Sequence, residues 1–200
     1  MKLIRFLFIV MVCLPLLVLT GCGPSSGSAR KQLADLQLDF TPDNFVMTAI
    51  HGDTKAVELF ITAGMDVNVS PDKGMSALVG ASGEGNMDVM KLLIRKGAKV
   101  DAKNNYAGVP ALLLAAVNGK EEAVKLLVQA GANVNETDND GHTPLIEAAG
   151  KGHAQIVKFL LENHADPNVK DAKGLTALGY TDNSEIIQLL RQAAGYPANQ

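Results

Sequence analysis

The run Asp138-Asn139-Asp140-Gly141-His142-Thr143-Pro144-Leu145-Ile146-Glu147-Ala148-Ala149 decides how this chain folds. It continues through Gly152-His153 and Ile156-Val157-Lys158-Phe159-Leu160-Leu161 to Ala165-Asp166-Pro167-Asn168. Asp-x-x-Gly is a tight-turn signal, with Gly141 where the turn needs a positive φ. Thr143 can cap a helix that Pro144 starts without losing a needed donor. Ala148 and Ala149 suit a first helix that neighbours approach closely. Gly152-His153 breaks that helix. Ile156, Val157, Leu160 and Leu161 then give a second helix with one apolar face to bury. A charge at Leu160, or at its counterpart Leu127, is expected to cost several kcal/mol.

The same order of landmarks recurs along the chain. One copy runs from Gly74-Met75-Ser76-Ala77-Leu78 through Gly85, Val89 and Leu92-Leu93 to Gly97-Ala98 and Val100-Asp101. The next runs from Gly108-Val109-Pro110-Ala111-Leu112 through Gly119 and Leu126-Leu127 to Gly131-Ala132-Asn133-Val134-Asn135. Corresponding glycines are 33 apart from Gly52 to Gly85, Gly119 to Gly152 and Gly108 to Gly141, but 34 apart from Gly85 to Gly119 and from Gly97 to Gly131. The turn around Asn104-Asn105-Tyr106-Ala107 therefore holds one extra residue. Thr41-Pro42, Phe45, Gly52-Asp53 and Asp66-Val67-Asn68 belong to a first copy that has lost its opening turn. A last copy, from Asp171-Ala172-Lys173-Gly174, reaches its second apolar helix at Ile186 three residues early. Four units and a short fifth are enough to stabilise one another, and divergence at the two ends suits faces that water must accept.

On these residues the chain resembles the ankyrin-repeat family. The resemblance implies an all-α solenoid of stacked helix-turn-helix units with β-hairpin-like connecting loops. The expected units are residues 40–70, 71–103, 104–137, 138–170 and 171–195, within an array from 40 to 195, followed by a tail from 196 to 200. Residues 29–39, with Leu33, Leu36 and Leu38, are a lead-in that is either a short capping turn or extended.

Composition agrees with thin helical layers. The chain of 200 residues has no Trp and 4% aromatic residues but 47% hydrophobic residues, so its core is built from Leu, Val, Ile and Ala. Its formal charge of −3 includes Lys2 and Arg5 in the N-terminal segment, whose loss leaves about −5. An acidic protein has little attraction for nucleic acid or anionic headgroups, and neither is expected as a partner.

The N-terminus carries an address. Lys2 and Arg5 precede an apolar run from Phe6 to Leu19, too short to span a bilayer comfortably and closed by Leu19-Thr20-Gly21-Cys22. Those four residues resemble the lipobox of bacterial lipoproteins. The resemblance implies a signal peptide over 1–21, cleavage before Cys22, and lipidation of that cysteine. Each buried methylene contributes roughly 0.8 kcal/mol, so two or three acyl chains hold a protein at a membrane for practical purposes irreversibly. Cys13 leaves with the signal, so the mature chain has no disulfide. Gly23-Pro24-Ser25-Ser26-Gly27-Ser28 reads as a flexible tether over 22–28. Gly23, rather than Asp, after the cysteine points in the family's sorting pattern to the outer membrane, facing the periplasm.

Four chemical readings compete with the structural one. Glu136-x-Asp138-x-Asp140-Gly141 with Glu147 nearly matches a calcium loop, but Glu stands first, Thr143 occupies a normally apolar position, and the repeat accounts for the same residues. His51, His142, His153 and His164 have no His-x-x-x-His pair, and His153 holds the repeat's Gly-His position, so no metal is expected. Ser76, Ser82 and Ser184 lack a Gly-x-Ser-x-Gly elbow, and Gly80-Ala81-Ser82-Gly83-Glu84-Gly85 lacks the Lys-Ser/Thr ending of a phosphate loop. No catalytic residue, cofactor or small-molecule substrate is assigned.

What remains is a surface. Ankyrin proteins usually hold partners at hairpin tips and the exposed side of the inner helices. Carried onto this chain, that face is Asp72, Lys73, Met75 and Glu84, then Tyr106, Val109, Val117 and Asn118, then Asn139, Asp140, His142 and Lys151, and finally Lys173, Leu175 and Tyr180. Met75, Tyr106, Val109 and Leu175 are its expected exposed anchors. Signal, lipid, tether and array together resemble immunity proteins that neutralise secreted toxic effectors, type VI phospholipases among them. The resemblance implies a non-enzymatic binding protein with a protein partner of which such a lipase is an example, and contact with the membrane through the lipid alone. The alternative is a periplasmic scaffold or an envelope or oxidative-stress factor supporting another enzyme.

Overall fold

The structure is a computed structural model and describes residues 25–72 and 74–195. The expected signal segment, Cys22, Lys73 and the tail 196–200 lie outside the described residues. Within them the helices alternate between two rows. The inner row is α2 (Pro42–Ile50), α4 (Ala77–Glu84), α6 (Ala111–Val117), α8 (Pro144–Gly150) and a 3-10 turn, Ala177–Tyr180. The outer row is α3 (Thr54–Thr62), α5 (Met87–Arg95), α7 (Glu121–Gln129), α9 (Ala154–Glu162) and α10 (Ser184–Ala193), preceded by α1 (Ser26–Asp35). Each helix packs on its predecessor in the same row and on its partner in the same unit. This is the all-α repeat solenoid expected from the sequence. Its connecting loops are turns, with one isolated antiparallel bridge, Lys103 to Pro110, among the described residues.

The helix starts follow their sequence signals. Thr143 Oγ1 accepts the Ile146 amide at 3.1 Å, Thr41 Oγ1 accepts Asn44 at 3.2 Å and Ser76 Oγ accepts Val79 at 3.3 Å. Each side chain satisfies one of the amides that a helix leaves without an internal partner. Gly141 ends its tip at φ 79°. The core is continuous from Ala29 to Leu190, and Leu127 and Leu160 have no exposed surface. Inner helices meet closely where side chains are small: a Cβ on Gly80 would stand 2.6 Å from Ile50 Cγ1.

One region differs from the sequence reading, and at a second the structure shows where an expected truncation falls. Ser26, Gly27 and Ser28, read as tether, form the first turn of α1, where Ser25 Oγ accepts the Ser28 amide at 3.3 Å. Gly and Ser are poor helix formers, but Ala29 and Leu33 lie one turn apart and are buried against α3. Arg30 adds its guanidinium over the Phe40 ring at 4.1 Å and its Nε to the Ala63 carbonyl at 3.4 Å. The lead-in is thus a capping helix in the outer row, covering the face that a preceding repeat would otherwise bury. At the other end, the three residues missing from the last unit come out of its inner helix, which shrinks to the 3-10 turn.

Gly64, Gly97 and Gly131 follow their outer helices at φ 100°, 89° and 91°, and His164 takes the same left-handed conformation at φ 68°. A side chain in that region costs about 1–2 kcal/mol relative to glycine. His164→Gly is expected to raise stability by about 1 kcal/mol, measured by urea unfolding followed by circular dichroism. A lower midpoint would refute the strain.

Candidate protein-binding face

The face is built where hairpin tips sit beside the inner helices, and the tips are tied to one another. Asn105 N donates to the Gly74 carbonyl at 3.1 Å, Asn139 N to Ala107 at 3.0 Å and Ala172 N to Asp140 at 2.8 Å. Within each tip one side chain closes the turn. Asp138 Oδ1 accepts the amides of Asp140 and His142 at 3.0 and 2.9 Å. Asp171 Oδ1 accepts those of Lys173 and Leu175, both at 2.9 Å. Asn104 Oδ1 spans one residue more, accepting Ala107 at 2.9 Å and Val109 at 3.2 Å. That longer span absorbs the inserted residue and pushes Tyr106 outward, where it is 82% exposed.

Apart from Lys73, His142 and Tyr180, the expected surface residues fall into three groups. Asp72, Glu84, Tyr106, Asp140, Lys151, Lys173 and Leu175 are exposed. Asn118 and Asn139 are exposed too, but their amides bind the preceding unit, at Gly83 O (2.8 Å) and Tyr106 O (3.3 Å). Met75, Val109 and Val117 are half-buried. Met75 and Val109 are therefore not the open anchors the sequence suggested. The Met75 sulfur lies near the space above Gly80, and the Val109 amide is held by Asn104. Met47 on α2, 45% exposed, is an exposed apolar side chain on this face that the sequence reading missed, because the first unit lacks the opening turn that marks the face in the other units.

At the other end, His142 and Tyr180 are drawn together into a polar lock. His142 Nδ1 lies 2.9 Å from Glu147 Oε1 and 3.6 Å from Asp138 Oδ2, and its Nε2 lies 3.5 Å from Asp171 Oδ2. The Tyr180 ring meets the imidazole edge-on at 5.7 Å, and its hydroxyl donates a short hydrogen bond to Asp171 Oδ2. The Asp171 side chain has no exposed surface, so the hydroxyl replaces water as its partner. That bond, followed by burial, pushes the Tyr180 hydroxyl up to about 12 from its usual 10.0. The same bond, outweighing burial, holds the Asp171 carboxyl below its usual range.

Three of the four carboxylates of the apparent calcium loop have other partners, and the fourth, Asp140, is exposed. Glu136 pairs with Lys103 at 2.7 Å and accepts from Asn133 at 3.0 Å, while Asp138 closes its tip and Glu147 faces His142. His153 Nε2 donates to Val117 O at 3.1 Å, binding the turn of one unit to the inner helix before it.

The family described as "Ankyrin repeats (3 copies)" matches at residues 45–138, 81–171 and 112–199, overlapping registers of one array. The chain belongs to the ankyrin-repeat family. Ankyrin repeats are protein–protein interaction modules, and proteins of the family are generally non-enzymatic. A relative from Treponema pallidum named as a putative ankyrin repeat-containing protein is 32% identical over 76% of this chain and 51% of its own length. Protein HOS4 of Saccharomyces cerevisiae is 42% identical over 63% of the chain and 12% of its length. The probable 26S proteasome regulatory subunit p28 of the same yeast is 28% identical over 78% of the chain and 72% of its length. The ankyrin array thus spans about half of the first relative and about an eighth of the second.

In this ankyrin array the Tyr180–Asp171 bond has a testable pH signature. Neutral Tyr180 donates to the carboxylate, and its folded pKa lies above the unfolded one. Its contribution to stability is fully present below pH 10.0 and is lost as pH rises through about 12. Phenolate absorbance of the folded chain should show one of the three tyrosines ionising later than the others, and Tyr180→Phe should remove that late phase. Three tyrosines titrating together in the native chain would refute the bond.

Proposed function

We propose that this protein is a lipid-anchored, non-enzymatic binding module on the periplasmic side of a bacterial outer membrane, and that it neutralises a toxic secreted effector such as a type VI phospholipase. The observation that carries the binding role is the row of exposed apolar side chains, Met47, Tyr106 and Leu175, set along tips and inner helices that are hydrogen-bonded to one another. A surface held in place before contact loses little freedom on binding, so its affinity is not spent on ordering loops. Aromatic and aliphatic anchors inside a polar rim are the usual source of interface energy.

Support for the address comes from Leu19-Thr20-Gly21-Cys22 and the short charged and apolar segment before it. An acylated Cys22 would keep the array beside the membrane on which a lipase acts, raising the local concentration of inhibitor where it is needed. Among the described residues no helix is long and apolar enough to cross a membrane. In the alternative role, scaffold or envelope and oxidative-stress factor, the same face would hold a resident enzyme rather than an incoming toxin.

The expected outcome of Cys22→Ser is loss of palmitate labelling and of sedimentation with membranes, while the soluble chain keeps its helical circular dichroism. Tyr106→Ala with Leu175→Ala should weaken capture of the partner from periplasmic extract by at least about tenfold. The immunity role predicts that cells lacking the protein die when a neighbouring effector gene is expressed. Survival of those cells, with an oxidative-defence enzyme as the captured partner, would favour the alternative.

A further inference from the structure

The N-terminal end of the inner-helix face holds an open groove of about 800 Å³ between α2 and the following hairpin. Its floor is apolar, from Val46, Ile50 and Met75, with the exposed Met47 thioether on one wall. Two features of the chain open it. The first unit has no opening hairpin, so no tip precedes α2. Gly80 lets Ile50 lean onto α4, since a Cβ there would stand 2.6 Å from Ile50 Cγ1 and 3.5 Å from Met75 Sδ. Thioethers are flexible and polarizable, which suits a surface that shapes itself to a side chain.

We infer that this groove receives a partner segment presenting an aliphatic side chain next to a lysine or arginine. The inference rests on the reading of the protein as a protein-binding module and names the chemistry of what it binds. Among the described residues lining the groove the ionisable ones are both carboxylates, Asp43 and Asp72, and both are exposed. Neither is in an ion pair among the described residues. A cation beside the apolar anchor gains from them and an anion is repelled, so the rim selects sign as the floor selects apolarity. The chain's formal charge is also negative. The same carboxylates disfavour an anionic lipid surface, and the open shape does not enclose a compact small molecule.

The test uses the full chain, expressed with its own leader, purified in detergent and labelled with carbon-13 at the methionine methyls. The probe is a synthetic peptide of sequence Gly-Ser-Lys-Leu-Gly-Leu-Arg-Ser-Gly, capped at both ends. It should shift the Met47 and Met75 methyls saturably and leave those of the buried Met65 and Met90 in place. Replacing both cations by Glu, or both leucines by Ser, should weaken binding by at least about tenfold. Asp43→Asn with Asp72→Asn, with helical circular dichroism unchanged, should do the same to the parent peptide. The inference is overturned if the acidic peptide binds as well as the basic one, if the serine peptide binds as well as the leucine one, or if neither methyl shifts at about millimolar peptide. If a partner is captured through Tyr106 and Leu175 but is insensitive to the two Asn substitutions, the groove assignment fails and the binding-module reading stands. If the methyls shift as expected but no protein partner is found, the groove stands and that reading falls.

Discussion

Every unit of this protein depends on burial supplied by the next one. A two-helix repeat has too little interior to fold alone, so its apolar faces become a core only when a neighbour covers them. This explains residues that would otherwise look arbitrary. Ala148 and Ala149 are small because α6 and the 3-10 turn press on α8 from either side. The ends need separate solutions. At one, α1 uses Ala29, Leu33 and the guanidinium of Arg30 over Phe40 to stand in for a missing outer helix. At the other, a unit with a shortened inner helix retains α10, which buries Ile186 and Leu190.

Polar contacts set the register of the stack. Asn86 donates to the carbonyls of Ala49 and Ile50 at 3.0 and 2.7 Å, and Asn118 and His153 make corresponding contacts one and two units later. On the opposite edge, Asn68, Asp101 and Asn135 accept the amides of Lys99, Asn133 and Asp166 at 2.8, 3.0 and 2.9 Å. Apolar packing is tolerant of small slides, whereas each of these bonds is directional and is lost on a shift of about one residue. Tips, inner helices and outer loops therefore keep their relative places, and the exposed apolar side chains keep theirs.

The lock around His142 shows how a cluster of titratable groups can be structural. A histidine, three carboxylates and a tyrosine lie within a few ångströms, a composition that elsewhere would suggest catalysis. Here the oxygens are engaged: Asp138 and Asp171 each close a tip with one oxygen, and Tyr180 donates to the other oxygen of Asp171. Their effect is to fasten the shortened last unit, whose inner turn offers less apolar surface than a full helix.

Much of the fold was legible in the residues because repetition turns weak local signals into a strong one. The Thr-Pro starts, the glycines near Gly141 and Gly152, and the 33-residue spacing each occur in many proteins, but their fixed order does not. The capping helix was not legible, since Ser26-Gly27-Ser28 reads as a linker until Leu33 is known to meet α3. Tyr106 could be read as exposed from the extra residue beside it. Met47 could not, because its exposure depends on a hairpin that is missing.

The sequence by itself determined the repeat, its register, the caps that start its helices and the apolar stripes that stack them, because these depend on residues close in the chain. Only the tertiary structure decided which tip residues face solvent and which bind a neighbour. Asn139 and Asp140 are adjacent and both polar, yet the side chain of the first is spent on the Tyr106 carbonyl, while in the second the backbone oxygen binds the next tip and the carboxylate stays exposed. The reason is that such bonds join residues about 33 apart, whose distance in space is set by the stacking of whole units and not by any local preference.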